Sequence, residues 1–153
     1  MVRRFEEKVT PEMKKRAMSL GLTPNQLLTL ASLIEKEAKL KSERALISAV
    51  FHNRLQKGMK LQCDPTAVYG LADFEGPIKK SHLRRKSPYN TYVINGLPPG
   101  PIASPGLESV MAALYPAPVD YIYFVSRNDG SHQFSSDLRS HNRAVSKYIT
   151  RKN

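Results

Sequence analysis

Two glutamates, Glu35 and Glu37, stand at the end of an apolar helical pattern in "LASLIEKEAKLKSER", residues 30–44. A carboxylic acid at the margin of an apolar face is partly desolvated, which raises its pKa and suits it to donate a proton near neutrality. At about 100° per residue, Leu27, Leu30, Ala31, Ile34 and Ala38 gather into one stripe. Glu35 falls on one flank, beside Leu28 and Ala31, and Glu37 on the other, between Leu30 and Leu33. Two residues apart on a helix, they do not face each other and cannot work as a carboxylate pair. Both also fit as solvated boundary residues paired with Lys39 or Arg44. Helical geometry does not choose between the two.

The elements that must position these residues are marked by one repeated device, a capping residue followed by proline: Thr10-Pro11, Thr23-Pro24, Asp64-Pro65 and Ser104-Pro105. The side-chain oxygen satisfies a free helical N–H, and proline suits the first turn, where its missing N–H is not needed. The signals predict helices over about 10–20, 24–40, 65–69 and 105–115, with Gly21, Gly70 and Pro116 as stops. Another, over about 43–57, follows Ser42, ends at Gly58 and repeats Ala45, Leu46, Ala49, Val50 and Leu55 at helical spacing. "SPYNTYVINGLPPGPIASPG", residues 87–106, is too rich in proline and glycine for a regular element, yet carries Tyr89, Tyr92, Val93 and Ile94. It reads as an ordered, packed loop beside a groove. "DYIYFVS", "RNDG" and "SHQFSS" predict a hairpin over Tyr121–Phe134 with Asp129-Gly130 in the turn. A last helix over about 137–150 is capped by Ser136 or Asp137. Helices, then loop and hairpin, then helix give the α+β class.

The chain's 153 residues suit a single domain, and 41% hydrophobic residues argue against disorder throughout. Twenty-four Lys and Arg against thirteen Asp and Glu leave a net charge of +11, which favours anionic partners: nucleic acid, a phospholipid surface or an acidic polymer such as cell-wall material. The single cysteine, Cys63, cannot form an internal disulfide, and no Cys/His spacing suggests zinc. Beside Asp64 and Pro65 it reads as a bystander rather than a nucleophile. No apolar run approaches the ~20 residues that span a bilayer, and no signal peptide leads the chain. The charged opening "MVRRFEEKV" reads like the interior of a longer protein.

In order, "LASLIEKEAKLKSERALISAVFHNRLQKGMKLQCDPTAVYGL", "SPYNTYVINGLPPGPIASPGLESVMAALYPA", "DYIYFVS" and "SHQFSSDLRSHNRAV" resemble the catalytic domain of the YceG-like endolytic murein transglycosylases, from about Leu27 to Tyr148. The resemblance implies non-hydrolytic cleavage of the β-1,4 bond between N-acetylmuramic acid and N-acetylglucosamine in peptidoglycan, leaving 1,6-anhydro-muramic ends. It implies that the second glutamate of "EKE", Glu37, is the acid, and that no metal or cofactor is used. It also implies a bacterial source, residues 1–153 as one catalytic domain, and an anchor and wall-binding module preceding it. Action would then lie in the cell envelope, at the outer face of the cytoplasmic membrane, alongside wall-elongation proteins.

A glycosidase that uses water needs a second carboxylate. Here the sugar's own C6 hydroxyl can attack C1, so one acid can suffice: Glu37 protonates the leaving oxygen and then, as carboxylate, takes the C6 hydroxyl proton. The family motifs further imply substrate contacts from Gln62 and Asp64 in "LQCDP" and from Ser87, Tyr89, Asn90 and Thr91 in "SPYNTY". Asp64 doubles as the expected helix cap, and "SPYNTY" also fits a self-satisfied Asx or ST turn. His132 and His141 read as structural. Two rival classes remain: a basic nucleic-acid module, suggested by the charge and "KKSHLRRK", and a wall-binding domain without catalysis.

Overall fold

The computed structural model describes residues 9–149. Among these residues it contains seven helices and one two-stranded antiparallel sheet, the expected α+β class. The helices are α1 (Pro11–Ser19), α2 (Pro24–Glu37), α3 (Arg44–Lys57), α4 (Asp64–Val68), α5 (Lys80–Leu83), α6 (Leu107–Leu114) and α7 (Leu138–Tyr148). The strands are β1 (Tyr123–Ser126) and β2 (His132–Ser135), paired from Tyr123 with Ser135 to Ser126 with His132. The predicted last helix is capped by Asp137, whose side chain accepts from Ser140 N–H; position 150 lies outside the described residues.

Thr10 and Thr23 cap α1 and α2 as their sequences dictate, each accepting from the backbone N–H three residues on. The other two Pro-linked caps are corrected. Cys63, not Asp64, occupies the cap position of α4 and makes no side-chain bond there. α6 starts at Leu107 behind Gly106, beyond the predicted Ser104. Ser42 does not cap α3 either: a 3₁₀ turn over Lys41–Glu43 leads into it.

α2 is the central element, but the predicted stripe is too narrow. Every residue from Leu27 to Ile34 is buried, Thr29 and Ser32 included. α3 and α6 cover one side, with Ile47, Phe51, Val110, Ala113 and Leu114 completing the core. The Pro/Gly-rich loop covers another. Its Pro99 carbonyl accepts from Asn25 Nδ2 at 2.9 Å, and its Ile102 N–H donates to Ser32 Oγ at 3.0 Å. The buried hydroxyls are thereby satisfied, with Ser32 also donating to Thr29 O and Thr29 to Asn25 O. The loop is ordered and packed, as its aromatic content requires, with Leu97 and Ile102 against the core.

α2 ends at Glu37, three residues short of the expected end, because Ala38 adopts extended geometry (φ −80°, ψ 114°). That break makes Glu37 the last helical residue.

Candidate active site

The two glutamates have separate employments. Glu35 Oε1 accepts from Gly106 N–H at 2.8 Å and from Ser109 Oγ at 3.1 Å. It therefore secures the start of α6 from a different helix, accepting from the N-cap N–H as the N3 side chain does in a capping box. Neither Lys39 nor Arg44 is its partner; Arg44 pairs with Glu108. Glu35→Ala is expected to destabilise the fold by about 1–2 kcal/mol, the range of a lost N-cap, with Glu35→Gln retaining most of that stability. Urea unfolding of the two variants checks this, and equal midpoints for Glu35→Ala and the native chain would contradict it.

Glu37 is half-buried at the foot of a cleft of about 460 Å3. One wall carries Lys36, Glu37, Lys39, Asp64 and Pro65; the hairpin supplies Ser126, Asn128, Gly130 and His132. Burial raises the Glu37 pKa to about 7, and the nearby charge of Asp64 pushes it the same way. The Asp64 N–H, which donates to Glu37 Oε1 at 3.3 Å, the Cys63 thiol and Lys39 pull in the other direction and do not cancel the rise. A carboxyl held near 7 carries a proton for a useful fraction of the time at neutral pH and can return as a base.

The Asp64 carboxylate is drawn to Tyr92, whose hydroxyl donates to it, and so does not turn back to cap its own helix. Burial and the adjacent Asp64 charge raise the Tyr92 phenol far above its usual range, so it remains a donor. Cys63 is fully buried, with its thiol pKa raised first by burial and then by the Glu37 and Asp64 charges, which leaves it chemically quiet.

The other sequence-derived candidates divide. Gln62 is exposed in left-handed backbone (φ 51°), adjoining the Cys63–Asp64 step. Ser87 Oγ accepts from Tyr89 N–H at 3.2 Å, an ST turn. Asn90 and Thr91 are fully buried. Asn90 Nδ2 donates to the carbonyls of Leu83 (3.1 Å) and Arg85 (2.7 Å), and its Oδ1 accepts from Tyr92 N–H at 3.0 Å. Thr91 Oγ1 accepts from Cys63 N–H at 2.8 Å and shares a 2.7 Å bond with Thr66. Tyr89 is half-buried and packs on Tyr69, ring centroids 4.6 Å apart. Loop 87–106 reaches the cleft through Tyr92 on Asp64, not through a wall of its own.

A larger concavity of about 930 Å3, between the start of α2 and Gly96–Pro99, contains no carboxylate. Its His52 is tied to Ala113 O at 2.7 Å, with its pKa lowered by burial. Chemistry rather than size selects the smaller cleft. Several cations are spent internally: Arg54 on the carbonyls of Ile122 and Lys60, Arg16 on Leu114, and Arg85 on Ala67 and Tyr69. Among the described residues no cluster of three or more His, Cys, Asp or Glu is placed to hold a metal, and no helix is long and apolar enough to cross a membrane.

The sequence matches the YceG-like family over residues 1–147. The chain belongs to the YceG-like family. Among relatives, it is 45% identical over 149 residues to the endolytic murein transglycosylase of Bacillus subtilis, covering 97% of this chain and 40% of that protein. The enzyme of the same name from Streptococcus pneumoniae strain D39 is 34% identical over 140 residues, 88% of this chain and 25% of that one. The chain thus spans well under half the length of the curated YceG-like relatives it matches. In three dimensions it resembles a crystal structure described as a putative yceG-like protein of Listeria monocytogenes. The TM-score is 0.78 at 41% identity, covering 87% of this chain and 43% of that one.

Proposed function

We propose that this YceG-like chain is the catalytic domain of an endolytic lytic transglycosylase. It cleaves the β-1,4 bond between N-acetylmuramic acid and N-acetylglucosamine within peptidoglycan strands and leaves 1,6-anhydro-muramic ends. The observation that carries this reading is Glu37: a cleft-lining carboxyl with its pKa raised to about 7, in a chain whose relatives bear that activity in their names.

Glu37 protonates the glycosidic oxygen as the C1–O bond breaks. The resulting carboxylate then accepts the C6 hydroxyl proton as the C6 oxygen closes on C1, so the proton balance is restored without water. The muramic 2-acetamido group and the fixed charge of Asp64 support the oxocarbenium stage. Asp64 faces the glycan from the cleft wall with Gln62 two positions before it in the chain, Tyr89 packs on Tyr69, and Ser87, Asn90 and Thr91 shape the loop that holds Tyr92 on Asp64. Lys36 and Lys39 on the cleft wall suit an acidic wall polymer, as does the net charge of +11. Action at the outer face of the cytoplasmic membrane, together with wall-elongation proteins, completes the reading.

Digestion of purified sacculi, read by mass spectrometry, tests it. The new ends are expected one water lighter than hydrolytic ends, with no oxygen-18 taken up from labelled water. Label in the new ends would overturn the mechanism; absence of cleavage by the folded protein would overturn the activity.

A further inference from the structure

The hairpin wall of the cleft contains a group that the mechanism above leaves unused. His132 is 8% exposed and Glu43 is equally buried, also 8%. Although 89 positions separate them in sequence, the Glu43 carboxylate accepts twice from His132: from the backbone N–H at 3.0 Å and from ring Nδ1 at 2.8 Å. An acceptor-only carboxylate facing Nδ1 assigns the ring proton to that nitrogen. In the tautomer with its one ring proton on Nδ1, the other nitrogen, Nε2, is the acceptor. It has no hydrogen-bond partner among the described residues, and it is not one of the sealed, unpartnered atoms of the interior. His132 is one of the residues that line the Glu37 cleft. Phe124 meets it edge-on, centroids 5.3 Å apart at 84°, and Phe134 packs at 6.2 Å, so the ring plane is fixed.

We propose that His132, oriented by Glu43, is a substrate-contacting residue of the cleft. Its Nε2 accepts a hydrogen bond from a hydroxyl or N–H group of the bound sugar, from the wall facing Glu37. Glu43 is the positioning residue. This rests on the transglycosylase reading, because the donor is a sugar group of the glycan.

The arrangement is the one by which carboxylates set imidazole tautomers: one nitrogen is held so that the other presents a known polarity. A buried carboxylate–histidine pair contributes little net stability over an apolar pair of the same size. What it supplies that an apolar pair cannot is an aimed acceptor. Sugar hydroxyls and acetamido N–H groups are donors, and each one desolvated in the cleft needs an acceptor.

The test uses glycan strands prepared from sacculi and stripped of stem peptides. In the Glu37→Gln protein, whose turnover is slow enough for the bound state to be observed, nitrogen-15 NMR is expected to show His132 protonated at Nδ1. The His132 Nε2 resonance is expected to move as glycan is added. Glu43→Gln is expected to mix the two tautomers, the signature of a positioning role. In the active protein, His132→Ala is expected to lower kcat/KM by about tenfold, the worth of one such hydrogen bond. An Nε2 resonance unmoved at saturating glycan, or a folded His132→Ala with native kcat/KM, overturns the proposal. If the wild-type protein still releases anhydro ends in that case, only this inference falls. If it releases none and binds no glycan, the transglycosylase reading falls with it.

Discussion

Replacing Glu37 with glutamine is expected to lower turnover by ~10²–10⁴, the range of one general acid/base, while raising thermal stability at alkaline pH. The two effects share a cause. Glutamine keeps the volume and an acceptor for the Asp64 N–H, but has no proton to transfer. It also has no charge to bury. The native carboxyl is lifted from 4.5 to about 7, chiefly by burial and then by Asp64. Below about pH 4.5 both folded and unfolded chains hold the proton, and nothing is lost. As pH rises from there towards 7, the unfolded chain releases the proton while the folded one retains it, so stability declines. Above about 7 the fold carries the charged carboxylate at a cost on the order of 3 kcal/mol. The variant escapes that cost. Melting curves at about pH 8 should therefore place Glu37→Gln several degrees above the native chain, and curves at about pH 4 should coincide. Native turnover should fall as pH rises beyond 7, when the acid form is depleted. A variant that melts alongside the native chain at both pH values would mean that Glu37 is not held as a neutral acid, and the role assigned to it would lose its physical basis.

The route from sequence to this site was readable where the signal is local. Thr10 and Thr23 cap the helices their motifs announce, and the hairpin forms around the Asp129-Gly130 turn. Non-local competition explains the departures. Asp64 sits before a proline like a cap, yet its carboxylate goes to Tyr92, twenty-eight positions away, while Glu37 takes the free N–H at the head of α4. Glu35 similarly reaches across seventy-one positions to Gly106, securing the start of α6 in place of Ser104. The helical wheel treated the two glutamates as equivalent flanks because it describes one helix without its neighbours. What separates them is which neighbour each flank meets: a helix start needing a cap, or a cleft with a second carboxylate. The pairing of Glu43 with the hairpin gave no signal, since a glutamate in "KSER" reads as surface charge until His132 is folded onto it.

Asn90→Ala is expected to cost about 2–4 kcal/mol of stability, because three hydrogen bonds end on a fully buried side chain and its loss strands their partners. Nδ2 ties down the carbonyls of Leu83 and Arg85, closing the basic α5 segment onto the loop. Oδ1 fixes the Tyr92 N–H in an Asx turn, and the Tyr92 hydroxyl in turn holds Asp64. Asn90 is thus linked to Glu37 through Tyr92 and Asp64, and a role exercised through that chain differs from the substrate contact its motif suggests. The distinction is measurable. A residue that grips the sugar would lose turnover with its melting temperature unchanged. Asn90→Ala should instead lose stability first. Turnover of the folded fraction, assayed well below its melting temperature, should fall less than in Glu37→Gln. Asn90→Asp separates the two ends of the side chain: it keeps the acceptor for Tyr92 N–H but loses both donors. It should stay below the native chain in stability even with that acceptor in place, since the carbonyls of Leu83 and Arg85 would then face a carboxylate. An Asn90→Ala protein with native melting behaviour and greatly reduced turnover would reverse this assignment and place the amide in the glycan's path.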